Sequence, residues 1–183
     1  MSHRKSFVVA GFALAFSLAL SGVAVAAPSA PACSVTWGSQ PKSAAGGPSG
    51  TITNVRAGQQ DCYDRMVVDV AGNVGGYAVR YVDEITSIGS GEVIPVRGGA
   101  KLQVTVFAPT YDQNYEPTYE PANVRELVNV SGYATFRQLV FGGSFEGVSD
   151  FGVGVRARLP FRVFVLAGPG SNSRVVMDVA HHW

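Results

Sequence analysis

Histidine is scarce in this chain: three among 183 residues, His3 near the start and the adjacent His181 and His182 before the terminal Trp183. Neighbouring side chains on extended backbone point to opposite sides, so these two make a poor two-ligand metal site. A structural zinc site takes four Cys or His ligands at set spacings, and only two cysteines are present. A Ser–His–Asp triad would have to borrow its histidine from the last three residues, and no Gly-x-Ser-x-Gly elbow exists. Charge is also short, at 15% of residues against about 25% in an ordinary soluble domain. No long stretch repeats its apolar residues at the helical period, and no βαβ rhythm appears. Metal, triad and helical-bundle chemistry all lose their footing. The "HHW" tail reads as a frayed or lightly packed terminus.

What is present begins with a leader. "MSHRK" is basic, "SFVVAGFALAFSLALSGV" is apolar and "AVAAP" offers a small-residue cleavage site, together a secretory signal peptide over residues 1–26. The alternative is an uncleaved anchor, for which the apolar run is short. Cys33, in "SAPAC", lacks the approach expected of a lipoprotein. Removing Arg4 and Lys5 with the leader takes 14 basic residues to 12 against 13 acids, a near-neutral −1. No cationic field remains for nucleic acid, and no stable membrane span is expected after cleavage. About 157 residues are then left, enough for one domain with a proper core.

Cys33 and Cys62 form an even pair in an exported chain, which favours a disulfide. It would close a loop of about 28 residues and stabilise by roughly 3–4 kcal/mol on the chain-entropy model. The same bond would pin "SVTWGSQPKSAAGGPSG", residues 34–50, onto the first strand region; the whole stretch 27–50 is rich in Ala, Gly, Pro and Ser and expected to be flexible and largely irregular. Within it, "SVTW" is the candidate for a short edge strand.

From Thr51 the texture is β. "TITNVRA", "DRMVVDV", "GYAVRYV" and "KLQVTVF" alternate or run branched-apolar between Gly, Asn and Pro. "SIGSGEVIPV" carries a hairpin signal, and "NVRELVNV" fits a helical turn or a poor strand. "TFRQLVF", "FGVGVRA", "FRVFVLA" and "SRVVMDV" complete about eight to ten short strands, hence an all-β antiparallel sandwich or barrel over residues 51–181.

Candidate chemistry lies in two places. Paired carboxylates among Asp64, Asp69, Asp83, Glu84, Glu146, Asp150 and Asp178 would suit acid–base hydrolysis, with Glu146 and Asp150 foremost. Surface acids are the ordinary reading of each. The loop "APTYDQNYEPTYEPA", residues 108–122, repeats Tyr111, Tyr115 and Tyr119 every four residues among acids and prolines. Tyr offers a flat apolar face and a hydroxyl at small entropic cost, which suits recognition of sugars or peptides. Packing onto the sheet is the plainer alternative. Asp112-x-Asn114-x-Glu116 hints at calcium but lacks the glycine and distal Glu of that loop.

One phrase occurs twice, "DRMVVDV" at 64–70 and "SRVVMDV" at 173–179. In a strand, Arg65 and Asp69 share a face roughly 13 Å apart, as do Arg174 and Asp178, too far for direct chemistry. Paired antiparallel, Arg65 would face Asp178 and Asp69 would face Arg174, for about 0.2–1 kcal/mol each. The Arg-x-x-x-Asp phrase therefore reads as a duplicated strand unit.

"YDR", "GYAVRYV", "SFEG", "LPFRVF" and "SRVVMDVAH", spread over residues 50–181, resemble the AMIN-like domain proteins exported by actinobacteria. The resemblance implies a compact β fold and a non-catalytic envelope module associated with peptidoglycan. It brings no catalytic residues and no cofactor. In about 157 residues no hydrolase domain of the kind that AMIN modules accompany is expected. The leading expectation is a secreted, extracytoplasmic, non-enzymatic domain associated with the cell wall that binds peptidoglycan or another envelope protein. Tyr111, Tyr115 and Tyr119, with Arg137 and Arg156 at strand ends, are its candidate contacts. The competing expectations are a small carboxylate hydrolase and a purely structural or inhibitor-like interaction protein.

Overall fold

A computed structural model describes residues 33–47 and 49–183; the leader lies outside the described residues. Eleven strands and no helix make up the described chain. They are β1 Lys42–Ala45, β2 Thr51–Gln59, β3 Tyr63–Ala71, β4 Gly76–Val82, β5 Ile85–Thr86, β6 Val93–Ile94, β7 Ala100–Val106, β8 Phe136–Phe145, β9 Val148–Val155, β10 Phe161–Ala167 and β11 Ser173–Ala180. Two antiparallel sheets face each other, one ordered β1-β4-β7-β9-β8 and the other β10-β11-β3-β2. The expected antiparallel sandwich is the fold.

Alternation explains the packing. Met66, Val68 and Val70 of β3 meet Val175, Met177 and Val179 of β11 on the inner face of the four-stranded sheet. Leu102, Val104 and Val106 of β7 and Phe151, Val153 and Val155 of β9 supply the facing layer. All are essentially withdrawn from water, and each such side chain contributes about 1.5–3 kcal/mol of burial. Two tyrosines of β4 fasten one open side. Tyr77 Oη donates to Val163 O at 3.0 Å, and Tyr81 Oη donates to Leu159 O at 2.8 Å and accepts from Leu159 N at 2.9 Å. On the other side Ile52 N donates to Pro109 O and Thr118 Oγ1 donates to Ile52 O, so the loop after β7 ties β2 to the opposite sheet.

A smaller layer lies outside the five-stranded sheet. The expected hairpin forms as β5 and β6, pairing Ile85 with Ile94, and buries Ile85, Ile94 and Val96 against Val140. Gly152 and Gly154 of β9 make room for it. A Cβ on Gly152 would sit 2.8–2.9 Å from Val140 and Ile85, and one on Gly154 would overlap Arg97 O.

Two readings need correction. The edge strand near the N-terminus is Lys42–Ala45, not "SVTW", pairing with Gly76–Val79. Small side chains leave that backbone free to follow the edge β4 offers. "NVRELVNV" is neither helix nor strand. It forms turns laid along β8, with Leu127 N donating to Leu139 O and Phe141 N donating to Val124 O.

Cys33 is bonded to Cys62 in the turn between β2 and β3. His181 N donates to the carbonyl of the same Cys62 at 3.0 Å. The tail, read as frayed or lightly packed, is tied down at His181 while His182 and Trp183 stay exposed. Asp64, 0% exposed, accepts from Thr135 N at 2.6 Å, Phe136 N at 2.8 Å and His181 Nε2 at 3.0 Å. Trp183 Nε1 donates to Arg158 O at 3.2 Å.

Candidate functional site

The loop from Pro109 to Pro121 folds on itself around one carboxylate. Asp112 Oδ1 accepts from Asn114 N at 2.8 Å and Glu116 N at 3.0 Å, while Asp112 N donates to Glu116 O. An Asx turn of this kind lets a side chain stand in for backbone partners. Thr118 N donates to Thr110 O, and Tyr111 bridges to Pro117. The folded loop is fixed to the β8–β9 turn, because Gly147 N donates to Tyr111 Oη at 3.1 Å and Thr110 N to Ser144 Oγ at 3.1 Å.

This frame sets Tyr115. Its backbone is in the left-handed region, φ 63°, where a bulky residue is uncommon and stays only if its surroundings hold it. The ring stacks on Tyr111 with centroids 5.8 Å apart and planes inclined by 22°. Tyr115 nevertheless remains 82% exposed. The stacked pair forms a ridge between two grooves. One, of about 420 Å³, is lined by Tyr119, Pro117, Pro121, Val124 and Phe141. The other, of about 360 Å³, runs over Ser49, Gly50, Thr51 and Gln113.

The three tyrosines have different duties. Tyr119 packs edge-on against Phe141, centroids 6.1 Å apart, and burial pushes its phenol up to about 12. Tyr111 spends its hydroxyl on Gly147. Tyr115 presents its face to solvent.

Arg137 and Arg156 lie elsewhere. Arg137, at the start of β8, donates to the carbonyls of Tyr133, Ala134 and Phe136, closing the turn before its own strand. Arg156 donates to His181 O, and its backbone N donates to Thr135 O at that same end. The tyrosine loop touches Ser144 and Gly147 at the opposite end of β8, roughly 23 Å away at strand rise. The structure brings the tyrosines together and leaves these arginines apart from them.

The carboxylates are also dispersed. Asp150 is buried on β9 and accepts from Gln103 Nε2 at 2.8 Å and Thr105 Oγ1 at 2.6 Å. Glu146 is exposed at the tip of the β8–β9 turn, with φ 49°. Asp178, 0% exposed, is held by two arginines: Arg65 Nε at 2.6 Å and Arg162 Nε at 2.8 Å. Arg162 lies over the Trp37 ring at 4.4 Å and over Phe164 at 5.3 Å. This cluster caps the outer face of the four-stranded sheet with its polar atoms mutually satisfied.

The groove walls include residues that sequence reasoning did not single out, Val124 and Phe141 among them. Phe141 sits in a segment recognised as a strand. The irregularities at Phe136/Gln138 and Phe141/Gly143 shift its register, however, and simple alternation does not carry across them.

A family model described as AMIN-like domain matches residues 50–181, from just before β2 to the end of β11. The chain belongs to the AMIN-like domain family. No curated protein and no solved structure matches it. AMIN-like domains are generally non-catalytic, and the match is consistent with an envelope-associated domain. In this AMIN-like chain the match covers Cys62 and the whole tyrosine loop but not Cys33 or β1. An AMIN-like domain with a disulfide suggests an extracytoplasmic protein, since such bonds persist in oxidising compartments. No helix among the described residues is long and apolar enough to cross a membrane.

Proposed function

We propose that the chain is a secreted, non-catalytic envelope domain that binds the glycan of peptidoglycan through the Tyr111–Tyr115 ridge. One observation carries this reading: an aromatic pair, stacked and braced by Asp112, stands between two grooves with its Tyr115 ring exposed. Rigid tyrosine faces lose little entropy on contact, and a pyranose presents an apolar C–H face to such a ring. The strained φ of Tyr115 supports a role in binding, because folding alone gains nothing from an exposed ring held in that conformation. Binding here would leave Arg137 and Arg156 as holders of backbone at the far end of the sheet.

The test is co-sedimentation with purified peptidoglycan sacculi. The intact protein is expected in the pellet, and Tyr115→Ala is expected to move most of it to the supernatant while melting at an unchanged temperature. Intact protein that stays wholly in the supernatant overturns the reading.

A further inference from the structure

The walls of the two grooves are uneven in charge. None of the lining residues is basic, whereas Glu120 lines the first groove and Asp112 the second. Glu116 is exposed on the loop between them. Arg125, the base closest in sequence, is not among the lining residues, and Arg137 and Arg156 are held at the other end of β8. Roughly 23 Å is nearly three Debye lengths at physiological ionic strength, so their field is screened out at the ridge. The ridge thus sits in a negative field, with acids on both sides and no compensating cation in either wall.

The remaining walls are apolar or neutral. Pro117, Pro121, Val124 and Phe141 form a surface suited to a methyl group, and Tyr115 offers a flat face beside them. Gln113 and Thr51 in the second groove offer neutral hydrogen-bonding groups. An N-acetylhexosamine supplies what these walls accept: an acetamido methyl, a C–H face and hydroxyls, with no charge. A sugar bearing a carboxylate would bring its anion close to Glu120 or Asp112 and lose water without gaining a partner.

Building on the glycan reading above, we propose that this site selects uncharged N-acetylhexosamine units and disfavours carboxylate-bearing ones. Within a wall glycan, the ridge then sits on residues free of the lactyl carboxylate, and a muramic unit is accommodated only with its acid group turned away or capped by peptide.

The probes are chitotetraose and a peptide-free tetrasaccharide of alternating N-acetylglucosamine and N-acetylmuramic acid, titrated into the ¹⁵N-labelled protein. Chitotetraose is expected to shift the amides of Asn114, Tyr115 and Glu116 and to bind at least fivefold more tightly than the carboxylated sugar. Raising the salt is expected to narrow the ratio, and the double variant Glu116→Gln/Glu120→Gln to bring it below twofold. Equal or tighter binding of the carboxylated sugar by the intact protein overturns the selectivity, as does a ratio unchanged in the double variant. If neither sugar binds but sacculi still pellet the protein through Tyr115, the selectivity is wrong and the wall-binding reading stands. If neither sugars nor sacculi bind, the wall-binding reading falls with it.

Discussion

Arg65 and Asp178 meet across the β3–β11 ladder, Nε to Oδ1 at 2.6 Å and Nη2 to Oδ2 at 2.9 Å. They are direct register partners, and so are Asp69 and Arg174. The second pair does not close. Asp69 is taken by Arg56 of β2, at 2.8 and 3.0 Å, and Arg174 turns to Ala167 O while its Nε stays buried without a partner. The two Arg-x-x-x-Asp phrases occupy adjacent strands but have unequal surroundings.

That inequality gives a paired measurement. Asp178→Asn strands two arginines around a fully buried site and is expected to cost about 3 kcal/mol, the low end for a buried pair, since both arginines keep some water contact. Asp69→Asn removes a half-exposed pair and is expected to cost about 0.5–1 kcal/mol. Urea unfolding of both variants checks the ranking; equal losses would contradict it.

Asp64 holds the C-terminal tail and the start of β8 at once. Asp64→Ala leaves Thr135 N and Phe136 N buried without acceptors, at about 1–3 kcal/mol each. His181→Ala removes only one partner and is expected to cost about 1 kcal/mol. Limited proteolysis should release the last residues of the His181 variant before any cut in the sandwich.

Tyr119 fixes the behaviour in alkali. Its phenol is held at about 12 by burial, whereas a tyrosine in the unfolded chain ionises near 10. Between those values the folded state keeps a proton that the unfolded state has lost. Its contribution is therefore intact below about pH 10 and falls away as pH rises toward 12. Tyr119→Phe keeps the contact with Phe141 and should flatten the decline of melting temperature over that window. Half-buried Tyr81, also raised by desolvation, accounts for a remaining slope of the same sign.

The disulfide spans 29 positions between Cys33 and Cys62. Reduction, or Cys33→Ser with Cys62→Ser, is expected to lower stability by about 3–4 kcal/mol. Comparing chemical unfolding with and without reductant measures it. The reduced protein should keep its strand signal in circular dichroism, because the sandwich core does not involve either sulfur.

How much of this could be read from residues alone depends on period. β4 and β7 announce themselves by alternation, β3 and β11 as short branched-apolar runs, and the facing of Arg65 with Asp178 follows from arithmetic once those strands are antiparallel. β1 gives no such sign, since Lys-Ser-Ala-Ala has no alternating pattern; it is a strand because β4 has an open edge. Arg56 capturing Asp69 depends on the irregularity between Ile52 and Asn54, a feature local sequence does not display. The tyrosines were visible as a four-residue repeat. Their division of labour was not, because it comes from Phe141, Gly147 and Asp112, of which only the last is a near neighbour. The Asp64–His181 contact joins residues 117 positions apart, beyond any local pattern.

The meeting of Cys33 and His181 at Cys62 separates two working ends of the sandwich. Cys33 is bonded there, and His181 donates to the same residue, at the end of β2 near Gln59. The tyrosine ridge is tied to the other end of that strand through Ile52, roughly 23 Å along it. Cys33, Cys62 and His181 are therefore gathered at the pole of the sandwich facing away from the ridge. Opening the disulfide or losing the His181 contact would loosen that pole and leave the stacked tyrosines in place.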